Sequence, residues 1–222
     1  MSFEKKRKEL VENLTERGIL TQEKVAEALL TVPREKFIPE DVKSQAYVDS
    51  PLAIGSEQTI SAPHMNVMMC QILELEEGDK MLEVGTGSGY HAALCAEIIA
   101  PENSTNPGHV YTIERHEELA EKAKKNLEET GYDDVITVIV GDGTLGYEEE
   151  APYDKIMVTA ASPAKIPPPL TEQLKEGGIL CIPAGSKKFS QALYKITKKD
   201  GKIKKDRITG VRFVPLIGHF GF

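Results

Sequence analysis

From residue 79 onward, short apolar runs alternate with stretches that read as helices, and few folds accommodate that rhythm. The runs are KMLEV (80–84), HVYTIE (109–114), VITVIV (135–140), DKIMVT (154–159) and GGILCIPAG (177–185). An apolar helix, HAALCAEIIA, and a polar loop, PENSTNPG (101–108), separate the first two. An amphipathic helix, EELAEKAKKNLEETG, follows the second and closes at Gly131. Strands this apolar, joined by helices, belong in a parallel sheet covered on both faces. The last stretch departs from the pattern. SQALYKIT and KIKKDRITGVRFVPL flank KKDG, whose Asp200-Gly201 pair is a hairpin signal. The expected architecture is therefore α/β, a mostly parallel sheet finished by an antiparallel hairpin.

Upstream, the first 45 residues read as helical. FEKKRKELVENLTERG sets Leu10, Val11 and Leu14 on one face and ends at Gly18, a suitable C-cap. Thr21 is the expected cap of a second helix, QEKVAEALLTV, stopped by Pro33. VPREKFIPE and AYVDSPLAIGSEQ read as irregular. A chain of 222 residues suits a single domain: a helical cap over 1–50, an α/β core over 60–185 and C-terminal strands over 186–222. The net charge, 27 − 35 = −8, argues against a nucleic-acid-binding face. No apolar run approaches the roughly 20 residues that cross a bilayer. The N-terminus is basic but too poor in apolar residues for a signal peptide. Cys70, Cys95 and Cys181 are odd in number, widely spaced and set in apolar segments. They read as buried free thiols of a reducing compartment, with no metal knot and no disulfide frame, so a cytoplasmic protein is expected.

Function concentrates in LEVGTGSGY. Gly85, Gly87 and Gly89 end the first strand of the sheet, where backbone N–H groups at a helix start can meet a ligand. The dinucleotide fingerprint G-x-G-x-x-G would need its third glycine at position 90, which is tyrosine. No Lys-Ser/Thr pair follows, so this is no P-loop either. Glu83 stands two residues before the loop, and a carboxylate there repels a pyrophosphate but favours a sulfonium or ammonium. The ligand indicated is a positively charged nucleoside, S-adenosylmethionine. Glu114 at the second strand end could accept from both ribose hydroxyls. Asp142 at the third could accept from an adenine amino group, with Gly143 leaving room for the base.

QTISAPHM (58–65) admits three readings. Ser61 and His64 could be nucleophile and base of a hydrolase, although no G-x-S-x-G elbow accompanies them. Ser61 could cap a helix with Pro63 in its first turn, HMNVMMCQILEL. The stretch could also form the second half of a site completed by the glycine loop.

Taken together, VPREKFIPE, AYVDSPLAIGSEQTISAPHM, LEVGTGSGYHAAL, VYTIER, GDGTLGYEEEAPYDKIMVTAA, LKEGGILCIPAG and VRFVPLIG resemble the protein-L-isoaspartate (D-aspartate) O-methyltransferase family, from about residue 20 to 218. The resemblance implies a class I S-adenosylmethionine-dependent methyltransferase fold, Rossmann-like, with seven strands and a variant order of the last ones. It implies methylation of the free α-carboxylate of isoaspartyl residues in damaged proteins and peptides, the ester then collapsing to a succinimide that partly reopens as aspartate. Ser61 matches the active-site serine. Thr59, Ile60 and His64 match positions lining the same pocket on the cofactor side. Glu83, Gly85, Gly87, Glu114, Asp142 and Gly143 match cofactor positions. The RFVPL strand (212–216), with Val214, matches the segment beside the bound peptide. A monomer without nucleic-acid or membrane partners is expected. Other classes to weigh are a methyltransferase acting on RNA or a small molecule, and a non-catalytic adenosine-binding module.

Overall fold

The computed structural model describes residues 1–187 and 190–222. Its main sheet has seven strands: β3 (Lys80–Val84), β4 (His109–Glu114), β5 (Ile136–Val140), β6 (Tyr153–Val158), β7 (Leu174–Gly185), β8 (Gln191–Lys199) and β9 (Lys202–Val211). They lie in the order β5-β4-β3-β6-β7-β8-β9, parallel from β5 through β7 and antiparallel from β7 to β9. The chain works outward from β3 to β5, then returns to the other side of β3 with β6. That reversal opens a crevice at the carboxyl ends of β3, β4 and β6, the place where open α/β sheets bind ligands.

The pleat divides the core into two layers. On β3, Leu82 and Val84 join one apolar cluster with Ile113, Ile156, Val158 and Leu180. Met81 joins the other, which also holds Leu10, Leu14, Leu29, Met69, Leu94 and Leu193. Glu83 shares the face of Met81 because alternate residues of a strand share a side. The helices covering that face are α3 (Pro63–Leu73) and α4 (Tyr90–Ile99). Nine of the ten residues of α4 are buried, because it lies between the sheet and α2 (Glu23–Thr31), onto which α1 (Phe3–Glu16) packs. A helix apolar on every side needs such double cover. On α5 (Glu117–Thr130) only Leu119, Ala120, Ala123 and Leu127 are buried, and Gly131 ends it in the left-handed region at φ +77°.

Several local expectations are corrected. AYVDSPLAIGSEQ is not wholly irregular: β1 (Leu52–Gly55) and β2 (Gln58–Ile60) pair antiparallel around Ser56 and Glu57, both at positive φ. Gln22, not Thr21, precedes α2, because the Thr21 hydroxyl donates to Gln71 Oε1 instead. Ala62, not Ser61, occupies the N-cap position of α3, and no side chain caps it. RFVPL is not a strand of the sheet. β9 ends at Val211, and the segment beyond is fastened by backbone bonds between Ala161 and both Val214 and Leu216, 2.8 Å each, and by the Gln191 amide, which accepts from Phe213 N at 2.7 Å. A short helix, α6 (Pro168–Glu172), adds to the expected elements. The Asp200-Gly201 turn is as expected, both residues at positive φ between Lys199 and Lys202.

Candidate active site

A cavity of about 770 Å³, mouth included, lies in the crevice. Its walls come from three directions: β2 and the residue after it (Thr59, Ile60, Ser61), the glycine loop (Gly85, Thr86, Gly87, Ser88), and the ends of β4 and β5 (Glu114, Gly143). Val214 and Leu216 close it from the C-terminal segment.

The loop is held from below. Glu83 accepts from Thr112 Oγ1 at 2.6 Å, and Thr112 Oγ1 lies 2.7 Å from Thr86 Oγ1 in the loop. Burial raises the Glu83 carboxyl to about 7. Glu83 does not line the cavity, contrary to its expected place beside a sulfonium; the strand pleat turns it under the loop. Gly85, at φ +99°, has no room for a side chain: a Cβ there would stand 2.2 Å from Thr159 Oγ1, which donates to the Gly85 carbonyl at 2.7 Å. Gly143 answers to the same kind of crowding, since its Cβ would stand 2.4 Å from Val84 Cγ1.

Glu114 is buried and lines the cavity. Its Oε2 accepts from Gly87 N at 3.0 Å and its Oε1 from His116 N at 3.0 Å. Each oxygen keeps lone-pair capacity for a vicinal diol. Asp142 sits just outside the lining. Its Oδ1 accepts from Thr144 N and Oγ1, and its Oδ2 from His219 N at 2.7 Å, so it ties the turn after β5 to the C-terminal tail.

Ser61 is anchored through its backbone. Arg34, fully buried, donates from Nη2 to the Ser61 carbonyl at 2.8 Å and from Nε to the Ala46 carbonyl at 2.8 Å, with its guanidinium over the Tyr90 ring. VPREKFIPE carried no sign of this role, because the partner lies 27 residues away. Ser61, Thr59, Thr159, Val214 and Pro215 line the cavity and also a second, wider groove. Cations Lys187 and Arg212 and the ring of Phe213 complete that groove. His64 belongs to the groove and not to the cavity, and its Nδ1 lies 2.7 Å from Asp49 Oδ1. Among the described residues no hydrogen bond joins Ser61 to His64, so the hydrolase dyad is not assembled.

The cavity suits an adenosyl sulfonium. It offers a buried carboxylate, a glycine loop and apolar walls, and Arg115 is the only Lys or Arg among the described residues of its lining. A pyrophosphate would need more.

Comparison with known proteins agrees. The model of the protein-L-isoaspartate(D-aspartate) O-methyltransferase family matches residues 5–221. A protein-L-isoaspartate O-methyltransferase of Hyperthermus butylicus is 53% identical over 99% of this chain and 92% of its own. The corresponding protein 1 of Archaeoglobus fulgidus is 52% identical over 100% and 98%. A crystal structure from Plasmodium falciparum, assigned to the same enzyme and in complex with S-adenosyl-L-homocysteine, superposes with a TM-score of 0.84 at 34% identity, covering 95% of this chain and 98% of that one. Over nearly its whole length, the chain belongs to the protein-L-isoaspartate(D-aspartate) O-methyltransferase family.

Proposed function

We propose that the cavity holds S-adenosylmethionine and that the adjoining groove presents an isoaspartyl residue of a damaged protein to it, so that the free α-carboxylate becomes a methyl ester. The observation that carries this reading is the shared wall: Ser61 and Val214 face both spaces. When bound, S-adenosylmethionine supplies an activated methyl group on a sulfonium. Glu114 holds the ribose hydroxyls, the backbone of Gly85 and Gly87 shapes the loop around the amino-acid end, and Thr59 and Ile60 cover it. Asp142 and Gly143 contribute by fixing the turn and tail at the base end. Ser61 donates a hydrogen bond to the acceptor carboxylate and stays unmodified. Lys187 and Arg212 draw acidic peptides into the groove. His64, clasped to Asp49, shapes the groove near Ser61 and takes no proton from the substrate.

A free α-carboxyl group ordinarily ionises at roughly pH 3.3–3.7, so at neutral pH it is already the nucleophile and no general base is needed. Positioning then supplies most of the rate. No helix among the described residues is long and apolar enough to cross a membrane. Three free cysteines support action in a reducing cytoplasm, and the chain is proposed to work as a monomer. The test is transfer of labelled methyl from S-adenosylmethionine into an isoaspartyl peptide. The label should be released by mild alkali, as from an ester; alkali-stable label would place the methyl on another atom and refute the reading.

A further inference from the structure

Beneath the cavity lies a cluster that the methyl-transfer chemistry does not use. His91 and Cys95 stand one turn apart on α4, and Cys70 comes from α3. Cys70 Sγ is 3.5 Å from His91 Nε2 and 4.0 Å from Cys95 Sγ, and the three donor atoms all lie within 4.8 Å of one another. All three residues are buried and both thiols are free. A tetrahedral zinc ion with its usual bond lengths needs about 3.8 Å between two sulfurs and about 3.6 Å between sulfur and nitrogen. Two edges of that polyhedron are present to within a few tenths of an ångström. The i, i+4 spacing of His91 and Cys95 is also the one by which a single helix face offers two ligands to one metal.

Two further observations point to a metal. With the Asn66 amide turned so that its oxygen meets the ring, it accepts from His91 Nδ1 at 3.1 Å, while its nitrogen donates to the Ser61 and Ala62 carbonyls at 3.3 Å. That orientation gives up a 3.3 Å contact from Arg34 Nη1. It satisfies more groups, and it leaves the lone pair of His91 on Nε2, toward Cys70. A hydrogen-bond acceptor on the far nitrogen is the usual support of a metal-bound histidine. The row of the sheet below this cluster aligns Thr112, Glu83, Met157 and Cys181 across four strands. In that row Glu83 Oε1 is buried and has no hydrogen-bond partner, an unpaired acceptor on the side of the sheet that α3 and α4 cover.

We propose that Cys70, His91 and Cys95 form a binding site for a thiophilic metal ion, with Zn²⁺ the ion whose tetrahedral preference fits them best. The sulfurs bind as thiolates, so each ion bound sends two protons to solvent, and His91 gives its Nε2 lone pair with no proton change. His91 and Asn66 also line the adenosyl cavity, which provides a path of entry.

The test uses the full chain with reduced thiols, equilibrated with Zn²⁺ and dialysed. The expected result is one zinc per chain, and Co²⁺ in its place should give thiolate charge-transfer absorption with tetrahedral ligand-field bands. The paired substitutions Cys70→Ser and Cys95→Ser should abolish both signals, and Cys181→Ser should keep them. Substoichiometric zinc in the unaltered chain, a cobalt spectrum without thiolate absorption, or undiminished binding in the double variant would each overturn the proposal. If the double variant fails to fold, the stoichiometry and spectrum of the unaltered chain decide alone.

Discussion

Ser61 is the one hydroxyl-bearing residue of QTISAPHM whose backbone is clamped by a buried cation while it lines both cavity and groove. A hydrogen bond to a charged acceptor contributes about 1.5–3 kcal/mol, so Ser61→Ala should lower kcat/KM by roughly 10- to 100-fold and leave turnover measurable. A dead variant, together with an adduct on Ser61 during turnover, would mean covalent catalysis instead. Glu114 is tested by calorimetry with S-adenosylhomocysteine. Loss of its charge-assisted bonds should weaken binding about 10- to 150-fold in Glu114→Ala; unchanged affinity would remove it from the cofactor site. The acceptor carboxylate is ionised well below neutrality, so kcat/KM should stay nearly flat from mildly acidic to neutral pH. A rise through a single ionisation that disappears in His64→Gln would make His64 a base and contradict the mechanism. At this scale the sequence was a good guide to residue type and a poorer one to direction. Glu83 and Asp142 stand at the expected strand ends, but neither lines the cavity. A strand's two-residue alternation turns the first under the loop, and a tail from the far end of the chain claims the second.

Elements were legible where their signal is local. The strands at 80–84 and 109–114 match the apolar runs residue for residue, and Asp200-Gly201 turns between β8 and β9 as its composition dictates. The β1–β2 hairpin was not legible, because Ser56 and Glu57 adopt positive φ without the glycine or asparagine that advertises such a turn. The Cys70–His91–Cys95 cluster was equally hidden: His91 and Cys95 are a helical turn apart, but only the packing of α3 on α4 brings Cys70 to them. The C-terminal tail supplies a prediction of its own. Burial would raise the Asp142 carboxyl, but the His219 N–H and the Thr144 hydroxyl and N–H outweigh it and hold the group below its ordinary range. A depressed folded-state value means the clasp stabilises the tail fully above the ordinary carboxylate range near pH 4 and is lost as the pH falls below that range through the depressed value. Hydrogen exchange at the His219 and Phe220 amides should therefore speed up on acidification in the native chain, beyond the intrinsic trend, and show no such step in Asp142→Asn. Equal pH dependence in the two proteins would rule out the clasp.

Across the whole molecule, one sheet separates two apolar layers, and its strand reversal puts the cavity and the groove side by side. The proposed function rests on this juxtaposition selecting an α-carboxylate displayed by an isoaspartyl linkage. An aspartyl residue has the same atoms, but its backbone runs through the α-carboxyl and only the side-chain carboxyl is free. The decisive measurement offers the enzyme and labelled S-adenosylmethionine two peptides identical except for that linkage. Methyl incorporation is expected into the isoaspartyl peptide, with none above background into its aspartyl twin. Equal labelling of the two, or labelling of neither by protein that binds S-adenosylhomocysteine, would contradict the proposed function.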